Sequence, residues 1–144
     1  MPITASGLYT TTFMDMLNND VAVDVTVDTF RVALFTNVIT PAFDTNTVYS
    51  SANEVPNGSG YTTGGAVLGS PTLTTSSGTL IYDAVDTAWT SSTFSAVRGC
   101  LIYDTTVSNR SLCLVNFVSD FAVTAGTFTI QWDATGIFRL DITP

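Results

Sequence analysis

The sequence predicts an all-β protein, an antiparallel β-sandwich or jelly-roll-like barrel with a short N-terminal helix. Three observations lead there. The chain carries 26 threonines and 13 serines among its 144 residues. Thr and Val favour extended backbone because branched side chains fit the pleat. Short runs rich in β-branched and aromatic residues recur between turn signals, the pattern of a sandwich or barrel. The last two runs also agree in register with the loop between them. Phe128, Ile130 and Trp132 share one face, and Phe138, Leu140 and Ile142 share another. The three-residue loop Ala134-Thr135-Gly136 brings those faces together, with Gly at the left-handed position. The sequence therefore predicts a C-terminal hairpin.

The elements follow in chain order. The length fits one domain, residues 1–144, able to bury its own core. Residues 1–20 form a helical segment: Leu8, Tyr9, Phe13, Met16 and Leu17 recur at helical spacing. Ser6 is the expected cap, and Asn18-Asn19-Asp20 the expected stop. Residues 21–144 form the β-sandwich. Val21, Val23, Val25 and Val27 alternate as a strand would, and the apolar phase switches after Asp28-Thr29. A switch of phase requires a turn or bulge. Thr29–Thr36 reads as a core strand. Residues 37–63 form a long loop, with a short helical turn expected near Ser50–Val55. Loops of this length are usually functional or packed against something.

Later strands are expected at Ala66–Leu68, Thr79–Asp83, Ala88–Thr90, Thr93–Asp104, Ser111–Val118, Thr127–Asp133 and Ile137–Ile142. Gly99 breaks the alternation in Thr93–Asp104 and suggests a bulge beside Arg98. Leu112 to Val115 is apolar on both faces, which places that strand inside.

Charge excludes several functions. Only 11% of residues are charged, with 12 acidic groups against four arginines, no lysine and no histidine, for a net charge of −8. Phosphate backbones and anionic lipids are held chiefly by Lys and Arg, so no nucleic acid or membrane partner is expected. No run approaches the ~18 apolar residues of a membrane span. No basic region precedes an apolar run near the N-terminus, so no secretory signal is expected and synthesis in the cytosol is. Mean hydropathy is +0.34 and 45% of residues are hydrophobic, against a disordered chain. A hydroxyl-finished surface loses less on desolvation than a charged one, which suits contact with neighbouring subunits.

The search for chemistry assigns no catalytic, cofactor-binding or metal-ligating residue. Without histidine or lysine there is no Ser-His-Asp triad and no Schiff-base chemistry. Asp83, Asp86 and the single glutamate, Glu54, are the candidates for a glycosidase pair. Scattered aspartates are more often solvated turn residues. Asp15, Asn18, Asn19, Asp20 and Asp24 offer oxygens to calcium, but their spacing matches no calcium loop. Gly58 to Gly65 lacks the lysine of a phosphate loop and reads as a tight turn into a strand. Trp89 and Trp132 are candidates for a sugar-stacking platform, although Trp132 falls on the expected core face. Cys100 and Cys113 form no CxxC pair and read as buried thiols; a disulfide would need an oxidising compartment.

Several segments resemble small virion structural proteins of tailed bacteriophages. They are Phe30–Asn37, Asn53–Val55, Gly58–Gly65, Arg98–Asp104, Phe117–Phe121 and Gly126–Trp132. The resemblance implies a non-enzymatic virion component assembled in the bacterial host cytoplasm, with no cofactor. Capsid cement, or decoration, is the leading expectation: a protein that binds across capsomers and stabilises the head. Its partners would be the major capsid protein or other virion proteins, and a homo-oligomer, with a trimer at a symmetry axis as its natural form, is expected. Residues 1–20 or the 37–63 loop are the expected anchors. The alternative is a tail or collar protein that binds host glycan.

Overall fold

The computed structural model describes residues 3–143. In chain order its elements are β1 (Gly7–Leu8), α1 (Thr10–Leu17), β2 (Phe30–Thr36), β3 (Ala66–Val67), β4 (Thr72–Ser76), β5 (Thr79–Asp83), β6 (Thr87–Asp104), β7 (Arg110–Ile130) and β8 (Phe138–Asp141). They build two open antiparallel sheets. One has the order β1-β7-β6-β2-β3 and the other β4-β5-β8. The fold is thus all-β and sandwich-like, with a short N-terminal helix, and it is not a closed barrel.

The core follows from two-sided burial of the larger sheet. Phe30, Val32 and Leu34 of β2 face the main core, with Tyr82 of β5 and Cys100 and Ile102 of β6. Ala33 and Phe35 point the other way, into a second core with Leu101, Tyr103 and Leu114. That second face is covered by Ile3 and Tyr9 and by Ile39, Phe43 and Tyr49 of the long loop. This explains why β2 and residues 112–115 are apolar on both faces. Cys100 and Cys113 are free and buried.

α1 starts at Thr10, later than a Ser6 cap would place it. Tyr9 holds the cap position without a side-chain bond. The helix is instead anchored by the loop: the Thr10 hydroxyl donates to Asp44 Oδ1 at 2.9 Å and the Thr11 hydroxyl to the Asn46 carbonyl at 2.9 Å. Ser6 Oγ accepts from the Asn116 amide at 2.9 Å. Asn18 ends the helix as expected.

Four other expectations need correction. Val21–Val27 is not a strand. Asp24 Oδ1 accepts from the Thr26 and Val27 amides at 3.0 and 3.1 Å, and this local turn outcompetes a ladder. Ser50–Val55 holds a turn and no helix; there Glu54 bridges Phe35. The pairs 88–90 with 93–104, and 111–118 with 127–133, are two long continuous strands, because bulges absorb the breaks in alternation. Lastly, β8 does not pair with the end of β7. It pairs with β5, with Leu80 opposite Leu140. Gly136 does take φ +103°, but a Cβ there would lie 2.8 Å from the Tyr82 carbonyl, so the turn delivers the chain to the other sheet. Parity of the apolar faces is met by two sheets facing one core as well as by one hairpin. β4, which the pattern missed, is exposed throughout; it joins β5 through Ser77 and Gly78, both at positive φ.

The long loop is fastened by Glu54. This carboxylate accepts from the Tyr61 hydroxyl at 2.5 Å, the Gly64 amide at 2.7 Å and the Tyr49 hydroxyl at 2.5 Å. Tyr61 Oη in turn accepts from the Leu34 amide at 2.9 Å. Burial, then the bond to Glu54, pushes both phenols well above the ordinary tyrosine range, so they act as donors.

Glu54→Gln replaces a three-fold acceptor by a mixed group and should cost about 2–3 kcal/mol. Urea unfolding of both proteins measures it, and an unchanged midpoint would show that the carboxylate is not the fastener. Burial also raises the Cys113 thiol to about 12 and Cys100 well above its usual value. Native protein at pH 8 should therefore be inert to a thiol reagent and react at both cysteines only once unfolded.

Candidate interaction surface

The residues singled out for chemistry are committed elsewhere. Asp83 Oδ1 accepts from the Ala84 amide at 2.8 Å, and Asp86 Oδ1 from the Trp132 amide at 3.0 Å. Glu54 is the loop fastener. Asp15 pairs with Arg110, Asn18 caps α1, and Asp24 closes its own turn. Among the described residues no three His, Cys, Asp or Glu side chains gather as a metal site. Among them, too, no helix is long and apolar enough to cross a membrane. Gly58, Gly60, Gly64 and Gly65 all have positive φ and lead into β3, as a tight turn requires. Trp89 is 5% exposed and packs in the main core, so the two tryptophans form no open platform.

The distinctive surface lies along β7. Its outer edge is paired to β1 only at Cys113 and Leu114. Beyond Asn116 no described strand pairs with that edge. The other edge stays on β6 through a heavily bulged ladder. Residues 117–120 of β7 face Arg98 alone, between the pairs Val97↔Phe121 and Gly99↔Asn116. The bulge expected at Gly99 is therefore present, and most of its extra length is on the opposite strand. Further bulges place Ser91, Ala96 and Ala125 at φ 51°, 58° and 46°.

Arg98 holds the largest bulge. Its Nε meets Asp120 Oδ1 at 2.6 Å and its Nη1 donates to the Val118 carbonyl at 2.8 Å. Asn116 Oδ1 accepts from the Val118 amide at 2.9 Å. Val118 sits at φ 69°, an uncomfortable position for a β-branched residue, and its side chain is 76% exposed. Phe121 beside it is also exposed.

Within the curve of the ribbon lies an apolar cleft of about 410 Å³, lined by Phe117, Phe121, Phe128, Ile130, Trp132 and Ile137, among others. Gln131 and Asp133 stand at its polar margin. Asp133 Oδ1 accepts from the Thr135 hydroxyl and amide at 2.7 and 2.8 Å, and these bonds hold the carboxyl below the usual aspartate range. Periodicity does not foretell this surface, because exposure of Val118 and Phe121 follows from the four-against-one bulge, which no apolar repeat encodes.

Compared with protein-family models, curated proteins and solved structures, the chain matches none.

Arg98→Ala tests the bulge. The ion pair is partly exposed and worth about 0–1 kcal/mol, so global stability should fall by about 1 kcal/mol, including the lost bond to the Val118 carbonyl. Amide exchange at residues 117–121 should accelerate far more than at β2. Equal acceleration everywhere would mean that Arg98 supports the whole fold.

Proposed function

We propose that this protein is a non-catalytic structural component of a bacteriophage virion, in the first place a capsid cement protein that docks across capsomers. The observation that carries the reading is the unpaired edge of β7 beyond Asn116, with Val118 and Phe121 exposed on it and an apolar cleft beside it. Open edges present unpaired amides and carbonyls, a template for another chain. Large exposed apolar side chains mark interaction sites. Two of the segments that resemble virion proteins, Phe117–Phe121 and Gly126–Trp132, are the walls of this surface. The charge-poor, hydroxyl-rich exterior supports the same reading, because little desolvation opposes broad contact.

Residues 1–20 are a poor choice of detachable anchor. Ile3 and Tyr9 are 1% and 2% exposed, and the Thr12 hydroxyl donates to the Ser111 carbonyl at 2.6 Å, so deletion would damage the core. The long loop is likewise fastened down by Glu54. The β7 edge is therefore the docking edge on this proposal. A glycan-binding tail or collar protein is the second reading, favoured only by the aromatic cleft with Gln131 and Asp133 at its margin.

Val118→Asp and Phe121→Lys should leave the melting temperature nearly unchanged and weaken co-sedimentation with undecorated capsids at least ~10-fold, a loss expected of a central interface residue. Undiminished capsid binding by the double variant, or capture by host polysaccharide in preference to capsids, would overturn the cement reading.

A further inference from the structure

The cleft beside β7 is apolar inside and acidic at its rim. Phe117, Phe121, Phe128 and Trp132 give it aromatic walls around a volume of about 410 Å³. Pockets that hold a small ligand usually span about 300–1,000 Å³, so an anchoring side chain has room here. Three carboxylates border the space. Asp133 is one of its lining residues and is exposed. Asp86, also exposed, adjoins it by accepting from the Trp132 amide at 3.0 Å. Asp120 precedes Phe121 and keeps 46% of its side chain exposed.

The chain's own cations do not balance this rim. Arg98 is held by Asp120 and by the Val118 carbonyl. Arg31 donates to the Gly64 and Gly65 carbonyls, and Arg110 pairs with Asp15. Arg139 alternates with Phe138 and Leu140 on β8 and is exposed on the other face. Among the described residues no cation lines the cleft. The sequence has no lysine and no histidine, and its net charge is −8. Asp86 and Asp133 therefore stand beside an apolar space with no positive partner.

The sign of the rim selects the occupant. A second copy would bring an equally acidic rim to the same place, and like charges brought face to face oppose contact. A neutral segment gains nothing from the carboxylates. A large apolar side chain flanked by arginine or lysine matches both features: it fills the cleft while its neighbours meet the rim. Guanidinium groups are also attracted to aromatic faces. The backbone of such a segment can add to the open edge of β7 as a further strand.

We propose that the cleft takes an extended segment of a partner protein in which a large apolar side chain is flanked by arginine or lysine. This rests on the reading of β7 as the docking edge and names the chemistry of what docks there. The apolar side chain supplies the grip, and the flanking cations steer the encounter and exclude acidic competitors.

The capped peptide Arg-Phe-Arg is the probe, with Gln-Phe-Gln and Glu-Phe-Glu as its neutral and acidic counterparts. Each is titrated into the full chain while backbone amide resonances are followed. Arg-Phe-Arg should shift the amides of residues 117–121 and 128–137 and bind at least ~3-fold more tightly than Gln-Phe-Gln, with Glu-Phe-Glu weakest. Asp86→Asn and Asp133→Asn together keep the hydrogen-bond acceptors and remove the charges. That double variant should keep its melting temperature nearly unchanged and lose the preference for Arg-Phe-Arg. Equal binding of the three peptides, shifts confined to other residues, or a preference that survives the double variant overturns the proposal. Concentration-dependent shifts of the same amides in the protein alone would give the cleft to a second copy, and shifts with maltoheptaose but no peptide would give it to glycan; either also overturns it. Undecorated capsids separate this from the cement reading. Tight capsid binding that neither salt nor the double variant weakens leaves the cement reading standing and overturns the basic segment. Peptides that discriminate as expected, with capsids that do not bind, overturn the cement reading and support the basic segment.

Discussion

The buried carboxylate of Glu54 is the constraint on which the rest of the architecture depends. It stands where the chain passes the end of β2, opposite Phe35. One of its partners, Tyr61, belongs to the core between the sheets; the other, Tyr49, lies on the opposite face, stacked on Tyr103 with centroids 4.2 Å apart. Glu54 therefore ties together the two coverings of the larger sheet. Without that tie, the second face would lose Ile39, Phe43 and Tyr49 as a lid, and the anchoring of α1 by Asp44 and Asn46 would go with it. A buried carboxylate is tolerable because three donors meet it. Close approach completes the fastening. Gly65 passes so near β2 that a Cβ would fall 1.8 Å from the Val32 carbonyl, and the Arg31 side chain binds the carbonyls on either side of that contact.

What the sequence disclosed about the fold was local. β2 and β5 are legible because apolar alternation and flanking turn residues coincide there. Gly99 announced its bulge, and Asn18 the end of α1. What failed required knowledge of partners. Val21 to Val27 alternates like a strand, but Asp24 offers the backbone a tighter local arrangement. β4 has almost no apolar residues to alternate, although Ser77-Gly78 is a recognisable hairpin turn. The C-terminal segment had correct turn chemistry and correct faces, and still joined the other sheet. Face parity says which side chains meet the core; it does not say which edge receives the strand.

Functional residues were less legible for the same reason. Glu54 stood out as the only glutamate and invited a catalytic reading, but its partners Tyr49, Tyr61 and Gly64 converge only through the wrap of the loop. Arg98 was seen beside a bulge, while its partners, Val118 and Asp120, lie some twenty residues on along the antiparallel strand. Thr29 and Thr105 stand far apart in sequence, and the Thr29 carbonyl accepts from the Thr105 amide only because β2 pairs with β6, Phe30 opposite Asp104. Each of these contacts is a product of topology.

Bulges link the fold to its proposed role. A flat edge as long as that of β7 would invite pairing with any exposed strand. Successive bulges at Ser91, Ala96, Val118 and Ala125 kink the ribbon and break its hydrogen-bond repeat, so an unselected strand finds no continuous register on it. The chain has few charges with which to repel such partners, and no lysine at all, so shape takes over the protective task that charge performs on other edges. An irregular edge is also a selective one. Only a partner with matching irregularity, or one that inserts apolar side chains into the cleft between Phe117 and Trp132, recovers the contact area that the bulges deny to others. On the proposed reading, the backbone held at positive φ at Val118 presents an apolar side chain where the ladder is widest open.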